Sequence, residues 1–575
     1  MKDELVDSNL EKRHFRKVIS LRILLGLSIA AASFPSFLLI FKIGYGINDD
    51  IVMISVVAGA FGKASEFLVH SNILWGLFLK LLYQLPTNFN WEVILFVIID
   101  FLSIWVLLYL LLSAKTTRMV KALFVISVLI GNGYFLLSIS FTAIAAISAI
   151  AGLSLLFFQS QESKKWFSLA SLCGIGLILI SSLIRSISTL MVAVLFLPAI
   201  LLNLRIFLQR RFFLSIMITT VLIAGGIIFN KIYLDSSPSW TAFYSYNNAH
   251  AQLINTPHFE NSQGIYSSVG WSQNDYDLMY RWFFADGVTF SPTRMLDLVH
   301  LSSGFATTGT VAYEFQTRIF TFSVIPYLLL LGFGALLMLC STKSQKAFPT
   351  MLLVFITPLL ILFGLAFTQK LVNYVTIPLI MGSIVLEFLL CDFFVVHDAK
   401  PRQISTKRSP GRIAFLIILF VTFLSGVGTN AYSLFQTSKN NQVNHIAFEG
   451  ILAQLNQLHS VDDLGKAVRI FDLSGSGIPW DWSNPWMLPF PKLPLQIMGW
   501  LTFSPPFNQS VSQLGVKSLP DALSQKDNAY LVSEPGIVPY IEKYFQEHDG
   551  IQVVAIPVIA IQSTDSWIYR FSVQQ

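Results

Sequence analysis

The chain has 575 residues, of which 38 are Lys or Arg and 32 are Asp or Glu; charged residues make up 12%, whereas soluble domains carry roughly 25%. This composition excludes an ordinary soluble globular protein. Apolar residues make up 54%, and 49 residues are Phe, so the excess must be arranged in segments long enough to cross a bilayer. The net charge of +6 does not indicate a nucleic-acid partner, because the basic residues are divided among short connections.

Eleven uninterrupted apolar stretches of about 17 to 22 residues are predicted to cross the membrane as helices. In chain order they are residues 22–41, 92–113, 119–138, 140–158, 166–184, 188–204, 213–233, 319–340, 348–367, 371–390 and 412–432. Cys173, Cys340 and Cys391 all lie in apolar runs, so neither a disulfide framework nor a cysteine metal site is indicated.

The positions of Lys and Arg predict the orientation, because basic residues beside a span are retained on the cytoplasmic side. The leader and every second connection are basic, through Lys2, Lys12, Arg13, Arg16 and Lys17; Lys115, Arg118 and Lys121; Lys164 and Lys165; Arg205, Arg210 and Arg211; Lys343 and Lys346; and Lys400, Arg402, Lys407, Arg408 and Arg412. The protein is therefore predicted to lie in the cell (plasma or inner) membrane. Its amino terminus is predicted to be cytoplasmic and its tail extracytoplasmic. Cleavage of a signal peptide at Ala30-Ala31-Ala32 is an alternative, and it leaves the outward placement of later residues unchanged.

Residues 69–84 form a further apolar run that could be a twelfth span. The run is short for a crossing, and it contains Lys80 together with Trp75 and Tyr83, which suit the headgroup level. A crossing here would also put every later basic connection outside. An interfacial helix is therefore the preferred interpretation.

Three long segments are predicted to lie outside the membrane on one side: residues 42–91, about 234–318 and 433–575. The tail has strand-like stretches at 468–473, 528–533, 553–558 and 567–571, and a helical stretch at 537–546. The expected fold is an all-α polytopic membrane domain over residues 1–432, followed by a small extracytoplasmic α/β domain over residues 433–575.

Chemistry is best supported at an acidic pair, since the patterns GxxxxGK[ST], GxSxG, HExxH and CxxC are all absent from the sequence. Asp49 and Asp50 follow the first predicted span by only eight or nine residues. A carboxylate held at the outer surface can take a proton from an attacking hydroxyl, and such general base catalysis contributes about 10²- to 10⁴-fold. The alternative is structural, because Asn48 and Asp49 are good N-cap residues.

The features around this pair occur in an informative order. A first span precedes an outward loop with Asp49 and Asp50, Gly59 follows ten residues after Asp49, and His70 opens the interfacial run before a second span with a basic turn at 115–121. This order resembles the amino-terminal module of GT-C superfamily glycosyltransferases, over about residues 20–210 and, more loosely, over the layout of later spans and outward tail. Protein mannosyltransferases and lipid A aminoarabinose transferases are members, and they use polyprenyl-phosphate-linked sugars.

The resemblance implies a catalytic acid at Asp49, with Asp50 in a place often taken by Glu. Many relatives carry a second acid in the outward turn between the third and fourth spans, which helps hold a divalent metal, whereas this chain reads Ser-Ile-Ser-Phe-Thr at 138–142. A divalent cation is therefore left open as a cofactor. Asp275 or Asp277 could supply the missing oxygen ligands for Mg²⁺ or Mn²⁺.

A lipid-phosphate donor, as the resemblance implies, requires cations at the outer surface. Few outward cations are expected; they are Lys63, Lys80, Arg185, Arg281, Arg294, Arg318 and Lys370. The expected phosphate-binding residues are Arg281, Arg294, Arg185 and Lys370, and the expected substrate-binding residues are His70, Glu66, Asp100, Asp275, Asp277 and Trp271. Trp and Tyr near 271–284 suit sugar stacking, and an interfacial helix among headgroups explains them equally well.

Three further features have two interpretations each. Asp100 lies about 13 Å below the outer interface, where an acid either marks a functional path or bonds to a neighbouring helix. Arg185 either binds phosphate or extends toward the headgroups. The tail carries Pro479, Pro485, Pro489, Pro491 and Pro494 among Trp480, Trp482, Trp486 and Trp500, so an extended loop is expected there. It could cover the active site and contact an acceptor glycan, although packing on the membrane surface is slightly preferred.

The leading functional hypothesis is a membrane glycosyltransferase of the cell envelope that moves a sugar from a polyprenyl-phosphate donor to a glycan, lipid or protein acceptor. Inversion in a single displacement with an Asp base would follow. A multispan polysaccharide polymerase or ligase, a lipid-linked glycan transporter and a non-catalytic surface protein are the alternatives. A transporter is less favoured, because the two halves of the chain show no correspondence and the polar outward segments are long.

Overall fold

The computed structural model describes residues 2–574 except 86–87, 163–167, 203, 205–208, 255–263, 303–307, 322, 342–346, 368–369, 398–409, 459–468, 474, 489 and 491–494. Several basic connections that predict the orientation lie outside the described residues, namely Lys164 and Lys165, Arg205, Lys343 and Lys346, and the run from Lys400 to Arg408. The orientation itself therefore stays a prediction.

The described chain is mostly helical. In order, the helices are α1 (Lys2–Ile40), α2 (Asn48–Ala58), α3 (Ile73–Tyr83), α4 (Trp91–Ser113), α5 (Arg118–Leu137), α6 (Phe141–Glu162), α7 (Leu169–Leu202), α8 (Arg210–Asp235), α9 (Pro238–Ile254), α10 (Gln273–Tyr280), α11 (Pro292–Ser302), α12 (Thr308–Ile319), α13 (Ile325–Ser341), α14 (Ala347–Ala366), α15 (Asn373–His397), α16 (Pro410–Leu458), α17 (Pro505–Ser512), α18 (Leu519–Gln525) and α19 (Val538–Tyr544). The strands are β1 (Gly44–Tyr45), β2 (Ser138–Ile139), β3 (Arg469–Asp472), β4 (Leu495–Ile497), β5 (Ala529–Ser533), β6 (Val553–Ala560) and β7 (Trp567–Val573).

Nine helices within the described residues are long and apolar enough to cross a membrane. The prediction of eleven spans differs from this number for two reasons. The stretches predicted at 166–184 and 188–204 together form α7, and the stretch predicted at 319–340 forms α13, a shorter apolar helix. The protein is thus a multi-pass membrane protein.

Arg185 interrupts α7 with an extended backbone, at φ −156° and ψ 99°. Before this break Ile178 lies against Gly152 of α6, and after it Leu195 packs at Gly382 beside Ile150 of α6. Both halves of α7 therefore pass the same level of α6. The chain reverses at Arg185, in agreement with the two predicted stretches, and this arginine lies at the turn.

Helix α6 is the centre of the bundle, because its whole apolar stretch is buried and α15 is nearly as enclosed. Its sequence explains this position: alanine, glycine and serine recur along it, and small side chains let helix backbones approach closely. At Gly152 a Cβ atom would lie 2.7 Å from the carbonyl oxygen of Gly174 in α7. The closest helix contact therefore depends on the absence of a side chain at this position.

Helix α3 agrees with the interfacial interpretation of residues 69–84. It has 11 residues, about 17 Å at 1.5 Å each, which is too short to cross a bilayer alone. Asn72 caps its start by accepting a hydrogen bond from the Leu74 amide at 3.0 Å. Trp75 and Leu79 face the protein, whereas Leu81 is exposed.

The tail contains the expected small mixed α/β unit. Its sheet has the order β4-β3-β5-β7-β6, with β4, β3 and β5 parallel and with β7 antiparallel to both of its neighbours. Four strands and the helix α19 lie where the sequence predicts them. Strand β4 was not predicted, because it lies in the Pro-rich stretch expected to be a loop; an edge strand directly after a proline tolerates this composition.

The predicted domain boundary at 432/433 falls inside a helix. Helix α16 runs without a break from Pro410 to Leu458, and the first tail strand begins only at Arg469. The last predicted span and the start of the tail are therefore one continuous helix, although the Ser, Thr and Asn residues after 432 have low helical propensity.

Candidate active site

Strands β1 and β2 bring two connections of the bundle together. They pair in parallel, with Gly44 beside Ser138 and Tyr45 beside Ile139, and the Gly46 amide donates to the Ile139 oxygen at 2.7 Å. Asn441 of α16 fastens the same place, since its Nδ2 donates to the oxygens of Lys42 and Leu137 at 2.9 and 3.0 Å. The first turn of α2 is thereby fixed against the start of α6.

Asp50 serves as an anchor between α2 and α6. It is fully buried, and its Oδ1 accepts a hydrogen bond from the Phe141 amide at 2.9 Å, at the positive end of the α6 dipole. Its Oδ2 has no partner among the described residues. Burial raises the pKa of Asp50 well above its usual range, and the negative charge of Glu92 raises it further.

Asp49 is held differently from Asp50. It lies in the first turn of α2, but the N-cap position belongs to Ile47 and no side chain caps the helix there, so capping does not account for the acid. Burial raises the pKa of Asp49 to about 6, against the opposing effects of Arg185 and Trp500. The indole nitrogen of Trp500 lies beside the Asp49 carboxylate and has no other partner in the described structure. This carboxylate is thus poised to exchange a proton near neutral pH.

Phe141 organises the side chains that face Asp49. The Cζ atom of Arg185 lies 4.5 Å from the Phe141 ring centroid, as in a cation–π contact. The His70 ring stacks on the same phenyl ring, at 5.8 Å between centroids and 7° between planes, and lies 5.7 Å from the Trp500 ring. Burial, together with the charges of Arg185 and Lys370, lowers the pKa of His70 to about 3, so this imidazole is neutral at pH 7.

The start of α15 completes the group. The positive charge of Lys370 acts on His70, and the Tyr374 phenol interacts electrostatically with Asp49 and Arg185. We call this set the Asp49 cluster; it consists of Asp49, Asp50, His70, Arg185, Lys370 and Tyr374. Five of its six members were singled out from the sequence, and they come from four separate parts of the chain.

Arg185 has an unused donor within this cluster. Its Nε atom is buried and has no acceptor among the described residues. A buried guanidinium N–H normally has a partner. The cluster therefore presents a free donor and two positive charges, on Arg185 and Lys370, beside a carboxylate.

Two of the expected substrate-binding acids have partners of their own. Glu66 forms an ion pair with Lys80 at 2.6 Å and accepts from the Tyr233 hydroxyl at 2.7 Å, which ties α3 to α8. Asp100 accepts from Asn132 Nδ2 of α5 at 3.0 Å inside the bundle. The second interpretation of Asp100, a bond to a neighbouring helix, describes what is seen.

The other expected site residues lie in or near residues 266–290, and two of them, Asp275 and Arg281, contact the tail. Asp275 Oδ1 pairs with His548 Nε2 at 2.8 Å, and Arg281 Cζ lies 4.4 Å from the Tyr540 ring centroid. Trp271 is buried and donates to the Thr289 oxygen at 2.7 Å; Asp277 accepts from Gln273, and Arg294 lies beside Gly270. We call this region the tail contact. It holds residues 266–290 on α19 and on the turn that follows it.

One described group of side chains could hold a metal ion, and it belongs to the tail contact. Asp275, Glu547 and His548 each offer a ligand atom within 4.8 Å of the others. These atoms are already engaged: Asp275 also accepts from the Ser272 amide, and Glu547 accepts from the Ser272 hydroxyl. At the Asp49 cluster, Arg185 supplies the positive charge that a metal would bring.

Phe141, which packs against the Asp49 cluster, and Tyr374, which belongs to it, were not singled out from the sequence. Phe141 gave no signal, because one phenylalanine among 49 in an apolar chain is not distinctive. Tyr374 opens a predicted span and reads as an interfacial tyrosine. Trp500 was noticed only as part of the Trp- and Pro-rich stretch, and its indole lies beside Asp49. Whether this stretch covers an active site stays a prediction.

Comparison with known proteins adds little. No protein-family model matches the chain, and no curated protein matches it. A solved structure of a mutant of the arabinofuranosyltransferase AftD from Mycobacteria aligns at 13% identity with a TM-score of 0.38. The alignment covers 96% of this chain and 41% of that one, so this chain spans less than half of that protein. So loose a superposition carries no argument about activity.

Proposed function

We propose that this protein is a membrane glycosyltransferase of GT-C type, with Asp49 as the general base and a polyprenyl-phosphate-linked sugar as the donor. One observation carries the proposal: the Asp49 carboxylate lies in the first turn of α2 beside Arg185, and burial raises its pKa to about 6. The order of sequence features from the first span to the second supports the same class.

In the proposed step, the acceptor hydroxyl transfers its proton to the Asp49 carboxylate while its oxygen attacks the anomeric carbon of the donor. The bond between that carbon and the phosphate oxygen breaks, and its electron pair leaves with the lipid phosphate. Attack opposite the leaving group inverts the configuration. A base with a pKa close to the working pH suits this transfer.

The two cations stabilise the charge that develops on the leaving phosphate. Arg185 offers the free Nε–H, and the exposed Lys370 supplies a second charge. His70 is neutral and can exchange hydrogen bonds with a sugar hydroxyl without adding charge. A divalent cation stays open as a cofactor, and the step is assigned here to the side chains alone.

Asp50 is the positioning residue of the pair. Its Oδ1 is committed to the Phe141 amide, whereas the Asp49 carboxylate lies beside Trp500 and Arg185. The base is therefore assigned to Asp49.

The test uses the full-length protein in lipid nanodiscs with a panel of synthetic polyprenyl-phosphate sugars. Asp49→Asn is expected to lose transfer while still binding the lipid donor, because the amide cannot take a proton. Asp297→Asn, an exposed acid on α11, is the matched control and should transfer normally. Full turnover by both Asp49→Asn and Asp50→Asn would sink the proposal. Movement of the lipid across proteoliposomes without any transfer would support the transporter instead.

A further inference from the structure

A polar cavity of about 450 Å³ lies beside the Asp49 cluster. It is enclosed by the loop after α1, the end of α5, residues 318–327, the start of α15 and the middle of α16. Amide and hydroxyl side chains dominate its wall; among them are Asn373, Asn430, Asn440, Asn441, Thr321 and Thr437. These uncharged side chains can exchange hydrogen bonds with a polar ligand in the cavity.

The chemistry of the wall narrows the class of ligand. Each amide both donates and accepts hydrogen bonds, as each hydroxyl of a sugar does. Tyr134, Tyr327 and Tyr374 add aromatic rings, on which the C–H face of a sugar can pack. No acid lines the described part of the cavity, and Arg318 is the only cation there. This combination suits an uncharged carbohydrate better than a cation or an apolar chain.

One buried group of the wall has no partner among the described residues, namely the Thr321 hydroxyl. Asn430 is almost fully buried, and its Nδ2 lies beside the Tyr327 hydroxyl. Because leaving a buried polar group unsatisfied costs about 1–3 kcal/mol, a polar ligand in the cavity would stabilise the Thr321 hydroxyl.

Tyr374 connects the cavity with the proposed chemistry. Its side chain lines the cavity and interacts electrostatically with Asp49 and Arg185. We propose that the cavity binds an uncharged carbohydrate chain as the acceptor, whose reacting hydroxyl passes Tyr374 to reach Asp49. This inference rests on the proposed function, and it assigns the acceptor class and its binding site.

The experiment measures saccharide binding to the full-length protein in nanodiscs by saturation-transfer NMR. The probes are trisaccharides of mannose, galactose and arabinose, with a glucosamine trisaccharide that carries three ammonium groups. At least one uncharged trisaccharide should bind. The glucosamine trisaccharide should bind at least several-fold more weakly, because the described wall has no acid to pair with its ammonium groups and Arg318 repels them.

The variants isolate the cavity from the rest of α16. Asn430→Leu is expected to weaken binding about tenfold or more, and Thr437→Val, a smaller change at a half-buried position, about threefold. Thr429→Val is the matched control, because this hydroxyl bonds to the Ser425 oxygen and lies outside the cavity. Equal binding by all three variants, or no binding by any uncharged trisaccharide, would overturn the assignment. If Asn430→Leu fails to fold, Thr437→Val against Thr429→Val decides.

Failure of the cavity can be separated from failure of the proposed function. Asp49→Asn should keep most of the trisaccharide binding, because Asp49 meets only the reacting hydroxyl, whereas the cavity wall holds the rest of the saccharide. Binding that Asn430→Leu weakens, without turnover in the wild type, would preserve the cavity and reject the glycosyltransferase. Turnover that depends on Asp49, together with trisaccharide binding that Asn430→Leu leaves unchanged, would preserve the glycosyltransferase and reject the cavity as the acceptor site.

Discussion

The Asp49 cluster and the tail contact both place acids of the predicted outward segments beside basic or aromatic partners. They differ in whether the buried polar atoms of these side chains have hydrogen-bond partners. In the tail contact, Asp275 uses both oxygens, one on His548 and one on the Ser272 amide. In the Asp49 cluster, Asp50 Oδ2 and Arg185 Nε are buried without partners among the described residues. Asn274 Oδ1 in the tail contact is also buried without a described partner, so the difference concerns the ionisable groups. Paired ionisable groups hold two parts of a protein together, whereas unpaired buried ones favour a ligand. This difference supports the proposal of chemistry at the Asp49 cluster and of docking at the tail contact.

The largest effect on activity is expected at Arg185, and Arg281 is its comparison. The sequence predicts both arginines as phosphate-binding residues. Arg185→Gln should lower kcat/KM about 10²- to 10³-fold, because a donor that stabilises developing charge is removed. Arg281→Gln should lower it less than threefold, since Arg281 lies on Tyr540. Steady-state kinetics with one lipid donor compares the two variants, and equal losses would erase the distinction between the regions.

The pH dependence gives the next largest effect. The pKa of Asp49 is raised to about 6, mainly by burial, and the base must be deprotonated to act. Activity should therefore rise with pH through about 6, and near pH 5 it should be about a tenth of the plateau. Trp500→Phe removes a group that lowers this pKa, so the rise should move to higher pH. A profile that is flat between pH 5 and 8 would contradict the assignment of the base.

Substitutions of Asp50 should affect stability according to whether the new side chain can accept the hydrogen bond from the Phe141 amide. Asp50→Ala leaves the Phe141 amide unpaired and is expected to lower the free energy of unfolding by about 1–3 kcal/mol relative to Asp50→Asn. Unfolding in mixed micelles, followed by circular dichroism, measures the difference. Identical stability of the two variants would show that Asp50 does not anchor α6.

The smallest effect is expected at the tail contact. Asp275→Asn weakens a partly exposed ion pair, so the docked tail should lose about 1 kcal/mol or less, with turnover almost unchanged. Faster hydrogen exchange at residues 538–549 would report it. Asp277→Asn, two residues along the same helix, is the control, and a large loss of turnover in Asp275→Asn would move the chemistry toward the tail.

Sequence reasoning succeeded where a local rule decides the outcome. The apolar stretches, the reversal at Arg185, the short helix α3 and four tail strands all follow from segment length and periodicity. It was less successful where the structure of a segment depends on its neighbours in the folded protein. Strand β4 was taken for a loop because of the prolines that precede it; a sheet tolerates such prolines beside an edge strand, and which strand lies at the edge is known only from the assembled sheet.

The candidate site divides in the same way. The sequence alone determined that this is a multi-pass membrane protein, and it singled out Asp49, Asp50 and a short set of scarce cations, since charge is costly near a bilayer and few charged residues remain to choose from. Only the tertiary structure decided which of them meet: the β1–β2 pairing and the turn at Arg185 bring distant parts of the chain together, while Asp275 and Arg281 lie on the tail. Proximity between residues far apart in sequence depends on helix packing, which no local pattern encodes.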